Sequence, residues 1–145
     1  MNEKHCVSLE LAKQLTKAGW KEETEFYHRV DEYGNVFLVI NPRFDTYEQL
    51  QKRTGTNVFY PAPLATEILE ELPPSIKTIY GHNNTIVYIY LQIDKHPDER
   101  KGVRCRYRPE FNPEAEEWFN NEFREQSLPD ALAKMWLYLQ KEPFQ

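Results

Sequence analysis

The sequence predicts an α+β fold, an antiparallel sheet of about five strands with helices packed mainly on one face. Apolar and turn-forming residues place a helix, a hairpin, a helix, three strands and two helices in that order along the chain. The stretch Val103–Arg108 alternates strictly between apolar and basic residues, which is typical of a half-buried strand. The 145 residues show no internal repeat or Gly/Ser linker, so we expect one domain, residues 1–145, with residues 1–6 as a mobile tail.

A helix is predicted near the start of the chain, and two further patterns indicate helices later in the sequence. The first follows Ser8, which is placed to cap it, and stops at Gly19, with Trp20 expected to fold back over its apolar face. Tyr47–Arg53 is compatible with a short helix, and Asn112 is placed to cap another.

Two further helices have clearer boundaries. One follows Pro61-Ala62-Pro63 and ends at Pro73-Pro74. The last begins at Ser127 and Asp130, which form a capping-box-like pair, and Trp136 lies in the middle of its apolar stripe.

Two hairpins complete the expected elements. Glu25–Val30 and Val36–Ile40 flank the linker D-E-Y-G-N, and Ile76–Tyr80 and Thr85–Asp94 flank G-H-N-N. The last of these strands is apolar at nearly every residue. We therefore expect it to be central and covered on part of both faces.

Composition restricts the class of protein. The net charge of −5 argues against a general nucleic-acid binder. The longest apolar run, Ile86–Ile93, is far shorter than the roughly 20 residues that span a bilayer, and no signal peptide is recognised at the start. Two cysteines outside any C-x-x-C motif indicate free thiols in a reducing compartment. These features predict a cytoplasmic protein with no membrane association.

The basic stretch R-K-G-V-R-C-R-Y-R is the one dense block of positive charge, and its register against the preceding strand can be predicted. The favoured pairs are Asp94 with Arg104, Gln92 with Arg106, Tyr90 with Arg108, Ile93 with Cys105 and Leu91 with Tyr107. A slip of one residue would set Ile93 against Arg104, and it would either bury charged side chains or expose the apolar ones. The favoured register leaves one face that carries Tyr88, Tyr90, Gln92, Arg104, Arg106 and Arg108.

This face has two interpretations. In the first, the arginines lie over tyrosine rings or pair with Asp94 and nearby glutamates, and the face only keeps the sheet solvated. In the second, Arg104, Arg106, Arg108, Tyr88 and Tyr90 are a docking site for an acidic partner, because Arg and Tyr are enriched at interface hot spots. Single-stranded nucleic acid is disfavoured, since three arginines are few for an acidic chain.

Catalytic and metal-binding signatures are absent from the sequence. No serine lies in G-x-S-x-G, the glycines form no phosphate loop and the four histidines have no metal-ligand spacing. Cys105 is predicted to face the core and to be inert, and Cys6 beside His5 is expected in the mobile tail. The sequence therefore predicts no catalytic residues, no metal and no cofactor.

Three segments resemble known sequences: C-V-S-L-E-L-A-K-Q-L-T-K-A-G-W with E-T-E-F-Y-H after it, Y-P-A-P-L-A-T-E-I-L-E-E-L-P, and L-P-D-A-L-A-K-M-W-L-Y-L-Q-K-E. They are similar to an uncharacterised group of small proteins common in bacteriophages and prophages. The resemblance implies a phage or prophage origin and a bacterial cytoplasm, and it carries no catalytic residues over.

Two function classes follow. The leading hypothesis is an accessory protein that binds another protein, host- or phage-encoded, through the Arg/Tyr sheet face; its own oligomeric state is left open. The alternative is a small enzyme or a nucleotide- or nucleic-acid-binding protein with a site built from Arg, Tyr and Glu side chains. A concave pocket that gathers Arg104, Arg106 or Arg108 with a carboxylate or His of perturbed pKa favours the alternative, and a flat exposed face favours docking.

Overall fold

A computed structural model describes residues 5–40, 57–80, 85–109 and 121–141. Within these residues the elements are α1 (Leu9–Lys17), β1 (Phe26–Val30), β2 (Val36–Ile40), β3 (Val58–Pro61), α2 (Ala65–Glu71), β4 (Ser75–Tyr80), β5 (Thr85–Lys95), a 3₁₀ turn (Glu99–Lys101), β6 (Val103–Pro109), β7 (Asn121–Glu125) and α3 (Leu128–Lys141). The α+β class is confirmed. The helices expected at Tyr47–Arg53 and after Asn112 lie outside the described residues.

The strands form two antiparallel sheets, with the orders β2-β1-β3 and β4-β5-β6-β7. The single sheet of about five strands is not confirmed, because the first hairpin pairs with β3 and not with the second hairpin. Val30 lies opposite Val58 along β1, and Cys105 lies opposite Phe123 along β6. Sequence reasoning missed β3 and β7, which have four and five residues, too few for a clear alternation.

Helix α1 has the predicted end but not the predicted cap. The chain leaves the helix at Gly19, and the Trp20 amide donates to the Leu15 carbonyl over 2.9 Å, while the Trp20 side chain is buried in the core. The Ser8 side chain makes no capping hydrogen bond. Its backbone amide donates instead to Asp130 Oδ1 over 2.9 Å.

That hydrogen bond also changes the expected capping box of α3. A capping box consists of two reciprocal hydrogen bonds. The first is present but long, because the Asp130 amide lies 3.4 Å from Ser127 Oγ. The Asp130 carboxylate accepts from Ser8 and so joins the amino ends of α1 and α3. The predicted Ser127–Asp130 pair is therefore only half formed.

The main core lies between the three helices and one face of the four-stranded sheet. Ile89, Cys105 and Tyr107 contribute from β5 and β6. Trp136 of α3 meets Trp20 edge to face, with ring centroids 5.1 Å apart at an interplanar angle of 71°. The predicted burial of Cys105 and Trp136 is confirmed.

Cys6, which the sequence analysis places in the expected tail, is packed against the rest of the protein. It is 1% exposed and forms an isolated antiparallel bridge with Leu64, and the next amide, that of Val7, donates to the Pro63 carbonyl over 3.1 Å. Backbone pairing to the segment before α2 therefore holds this position in place. Residues 1–4 of the expected tail lie outside the described residues.

Candidate functional site

The predicted register between β5 and β6 is confirmed at every pair. Asp94 lies opposite Arg104, Gln92 opposite Arg106, Tyr90 opposite Arg108, Ile93 opposite Cys105 and Leu91 opposite Tyr107. Because side chains alternate along a strand, the three arginines lie on the face opposite to the buried Cys105.

We call this outer surface of the four-stranded sheet the Arg/Tyr face. Its side chains come from all four strands and are Ser75, Lys77 and Ile79 of β4, Ile86, Tyr88, Tyr90, Gln92 and Asp94 of β5, Arg104, Arg106 and Arg108 of β6, and Glu122 and Arg124 of β7. The described helices pack on the other side of the sheet, in the main core.

Arg104 is held by two carboxylates. Its guanidinium contacts Asp94 Oδ2 at 2.6 Å and Glu122 Oε1 at 3.1 Å. The hydrogen bond from Arg104 holds the pKa of Asp94 below its usual range, and the same bond raises the pKa of Arg104. Arg104 therefore matches the first interpretation of the face, in which an arginine is a structural ion-pair partner.

Arg106 and Arg108 differ from Arg104. Arg106 Nε and Arg108 NH1 both donate to Gln92 Oε1, over 3.2 and 3.3 Å. The amide oxygen of Gln92 is neutral, so this shared acceptor orients the two guanidinium groups and brings no charge of its own. Partial burial lowers the pKa of Arg106, and the positive charges of Arg104 and Arg108 lower it further. The carboxylates of Asp94 and Glu122 act on the pKa of Arg106 in the opposite direction and raise it.

The opposite end of the face is apolar and exposed. Ile79 and Ile86 are cross-strand partners and are 59% and 55% exposed, beside Tyr88 at 50% and Tyr90 at 44%. β5 is central in its sheet, as predicted; on this outer face it is exposed at Ile86, Tyr88 and Tyr90 and partly buried at Gln92 and Asp94. Neighbouring exposed apolar side chains on a sheet face are typical of an interaction surface.

The described part of the face is positive although the chain is acidic. Five basic side chains, those of Lys77, Arg104, Arg106, Arg108 and Arg124, stand against two carboxylates, those of Asp94 and Glu122. The whole chain has a net charge of −5. The sequence analysis did not assign Lys77, Ile79 and Ile86 to the face, although they lie at outward positions of a correctly predicted hairpin. It did not assign Glu122 and Arg124 because it did not predict β7.

One end of the face is concave. A cavity of about 350 Å³ is lined by residues that include Asp94, His96, Arg104 and Arg124. The Asp98 amide donates to His96 Nδ1 over 3.0 Å, so the proton of the neutral His96 ring is on Nε2. Asp94 is held ionised by Arg104, which suits an ion-pair partner better than a proton donor. The concavity thus gathers two arginines, a carboxylate and a histidine, in an arrangement suited to forming ion pairs.

Comparison with known proteins adds no family. No family model matches this chain, and no curated protein or solved structure matches it. Its function is therefore inferred from the geometry and the charge of the site.

The described residues show neither a cluster of metal-ligating side chains nor a membrane-spanning helix. They contain no group of three or more His, Cys, Asp or Glu side chains that could hold a metal ion. None of the helices described above is long and apolar enough to cross a membrane.

Proposed function

We propose that this chain is a small accessory protein of the bacteriophage or prophage type that acts in the bacterial cytoplasm by binding an acidic protein through the Arg/Tyr face. The observation that carries the proposal is the charge of the described face, on which five basic side chains stand against two carboxylates, beside exposed isoleucines and tyrosines. The hydrogen bonds of Arg106 and Arg108 to Gln92 orient two of these cations side by side. Such a pair is preorganised for a carboxylate, which takes two parallel N–H donors.

The apolar end of the face specifies the partner further. Ile79, Ile86, Tyr88 and Tyr90 are exposed beside the arginines. A partner that places carboxylates over Arg106 and Arg108 and an apolar side chain over the isoleucine pair would bury both parts at once. The partner surface is therefore expected to combine acidic residues with at least one large apolar residue.

The experiment compares two charge reversals of equal size. In the site variant, Arg106→Glu and Arg108→Glu are combined and Arg104 is left in its ion pairs. In the matched control, Arg100→Glu and Lys101→Glu change the same charge in the 3₁₀ turn, where Arg100 is 92% exposed. Each protein is used to capture partners from nuclease-treated bacterial lysate, and the captured protein is then purified and titrated calorimetrically.

The site variant is expected to lose at least tenfold in affinity for the purified partner, and the control is expected to keep its affinity. Binding of the wild type is expected to weaken at high salt, because salt screens the charges of the face. Equal affinity of both variants would refute the docking face. Should the site variant melt at a much lower temperature, the Arg106→Gln and Arg108→Gln pair is to be measured instead.

The alternative functions are outcomes of the same experiment. Capture that nuclease abolishes, with binding of an oligothymidine probe that the site variant loses, would assign the face to single-stranded nucleic acid. Release or turnover of a small molecule by the wild type, lost on replacement of His96, would support an enzyme at the concave end.

A further inference from the structure

A second cavity lies away from the Arg/Tyr face, where segments distant in the sequence meet. Its volume is about 630 Å³, and it is open between the β1–β2 hairpin and the amino ends of α1 and α3. Pockets that enclose small molecules have volumes of roughly 300–1,000 Å³. The cavity is therefore large enough for a small organic ligand.

The walls of this cavity are partly apolar. Leu9 of α1 and Val36 and Leu38 of β2 line it, and Val36 is half exposed at its mouth. Phe37, between the two β2 residues, points to the other face of the strand, where Arg29 lies over its ring at 4.7 Å. The apolar lining suits the hydrocarbon part of a ligand.

His28 supplies an acceptor in the cavity. The ring is buried, at 7% exposure, and its Nε2 lies 2.7 Å from the Val7 carbonyl oxygen. A carbonyl can only accept, so Nε2 carries the proton and Nδ1 of the neutral ring is left as an acceptor. No described residue donates a hydrogen bond to Nδ1 in this arrangement. A buried ring that lines a cavity with one unused acceptor is suited to receive a donor from a ligand.

The charged groups of the lining are acidic. Glu125 and Asp130 both line the cavity, and none of its described lining residues is Lys or Arg. Glu125 forms an ion pair with Lys134 outside the lining. Asp130 uses Oδ1 to accept from the Ser8 amide, which leaves its charge without a cationic partner among the described contacts. The charged side chains in the described part of the lining are therefore all negative.

We propose that this cavity binds a small organic amine. The apolar part of the amine packs against Val36 and Leu38, and its ammonium group donates to the Asp130 carboxylate and to His28 Nδ1. An ammonium carries three donors and a positive charge, so it satisfies both acceptors and balances the acidic lining. This site is independent of the docking face, because the two share no residue.

The test uses two probes with the same hydrocarbon part and opposite charge, 2-phenylethylamine and 3-phenylpropionate. Binding to the full chain is followed by NMR of the methyl groups of Val36 and Leu38. We expect saturable shifts with the amine, at a dissociation constant on the order of 1 mM for so small a ligand, and none with the acid. The absence of saturable shifts with the amine, or equal shifts with the acid, overturns the proposal.

Three variants locate the bound amine. Val36→Trp fills the mouth and is expected to weaken binding at least tenfold, whereas Phe37→Trp, on the other face of the same strand, is expected to leave binding unchanged. Asp130→Asn keeps an acceptor for Ser8 but removes the charge, and is expected to weaken binding severalfold. Unchanged affinity in Val36→Trp places the amine elsewhere. Loss of the dispersed methyl resonances would show that Val36→Trp does not fold. In that case Asp130→Asn is the deciding variant, and unchanged affinity in it overturns the proposal.

Discussion

The Tyr107 hydroxyl joins the centre of the four-stranded sheet to the turn between α2 and β4. The side chain is buried in the main core, and its hydroxyl donates to the Pro73 carbonyl oxygen over 2.6 Å. Burial raises the pKa of Tyr107, so the hydroxyl keeps its proton through the ordinary pH range. Tyr107→Phe removes this one donor and keeps the ring in the core.

The expected cost follows from the surroundings of the acceptor. A net hydrogen bond contributes about 0.5–1.5 kcal/mol, and a buried acceptor left unpaired adds about 1–3 kcal/mol. Pro73 is exposed, so water can reach its carbonyl once the hydroxyl is gone. We therefore expect Tyr107→Phe to lower the free energy of unfolding by about 1 kcal/mol, or the melting temperature by about 3–4 °C in a chain of this size.

The assay is urea unfolding followed by circular dichroism, with Tyr88→Phe as the matched control. That control removes the same hydroxyl from the other face of the same sheet, where the side chain is half exposed. Its effect is expected to stay within about 0.5 kcal/mol. Equal effects of the two variants would contradict the role of the Tyr107–Pro73 hydrogen bond, and a loss above about 3 kcal/mol would show that water does not replace it.

Three further predictions test the core and a turn. Trp136→Ala is expected to cost about 3–5 kcal/mol, because it truncates a buried aromatic, and an unchanged melting temperature would refute the packing of α3. Cys105 is expected to resist thiol reagents in the folded protein, because burial raises its pKa to about 12; rapid labelling found by peptide mass spectrometry would contradict its placement. Gly102→Ala is expected to destabilise by about 1–3 kcal/mol more than Gly34→Ala in the same unfolding assay. Both residues have positive φ, but only at Gly102 would a Cβ collide with a backbone atom, the Glu125 carbonyl oxygen, so equal losses would rule that contact out.

The structure distinguishes Arg104 from Arg106 and Arg108, although the three residues are of the same type. Arg104, Arg106 and Arg108 are equivalent in the sequence, since they alternate along one strand. In the fold Arg104 has carboxylates on both sides, from Asp94 of β5 and Glu122 of β7. The sequence does not predict β7, so it does not place the Glu122 carboxylate beside Arg104, and the pattern alone does not distinguish the three arginines.

Local pattern determined much of this protein. Alternation between apolar and basic residues predicted β6, and the cost of burying charge selected its register against β5, because a slip of one residue moves every side chain to the wrong face. Helical spacing likewise predicted the burial of Trp136. These features depend on neighbours within a few residues or on a single pairing of adjacent strands.

Only the tertiary structure decided which strands share a sheet and which side chains share a cavity. Strands β3 and β7 are held by backbone pairing with strands elsewhere in the chain. Each is too short to show a clear alternation of apolar and polar residues, so the sequence does not reveal it. His28 and Asp130 line one cavity although they are far apart in the chain, because the amide of Ser8 bonds to Asp130 and the carbonyl of Val7 to His28. Both bonds involve the backbone, and a backbone group has the same donor and acceptor at nearly every residue, so no side-chain pattern in the sequence could reveal them.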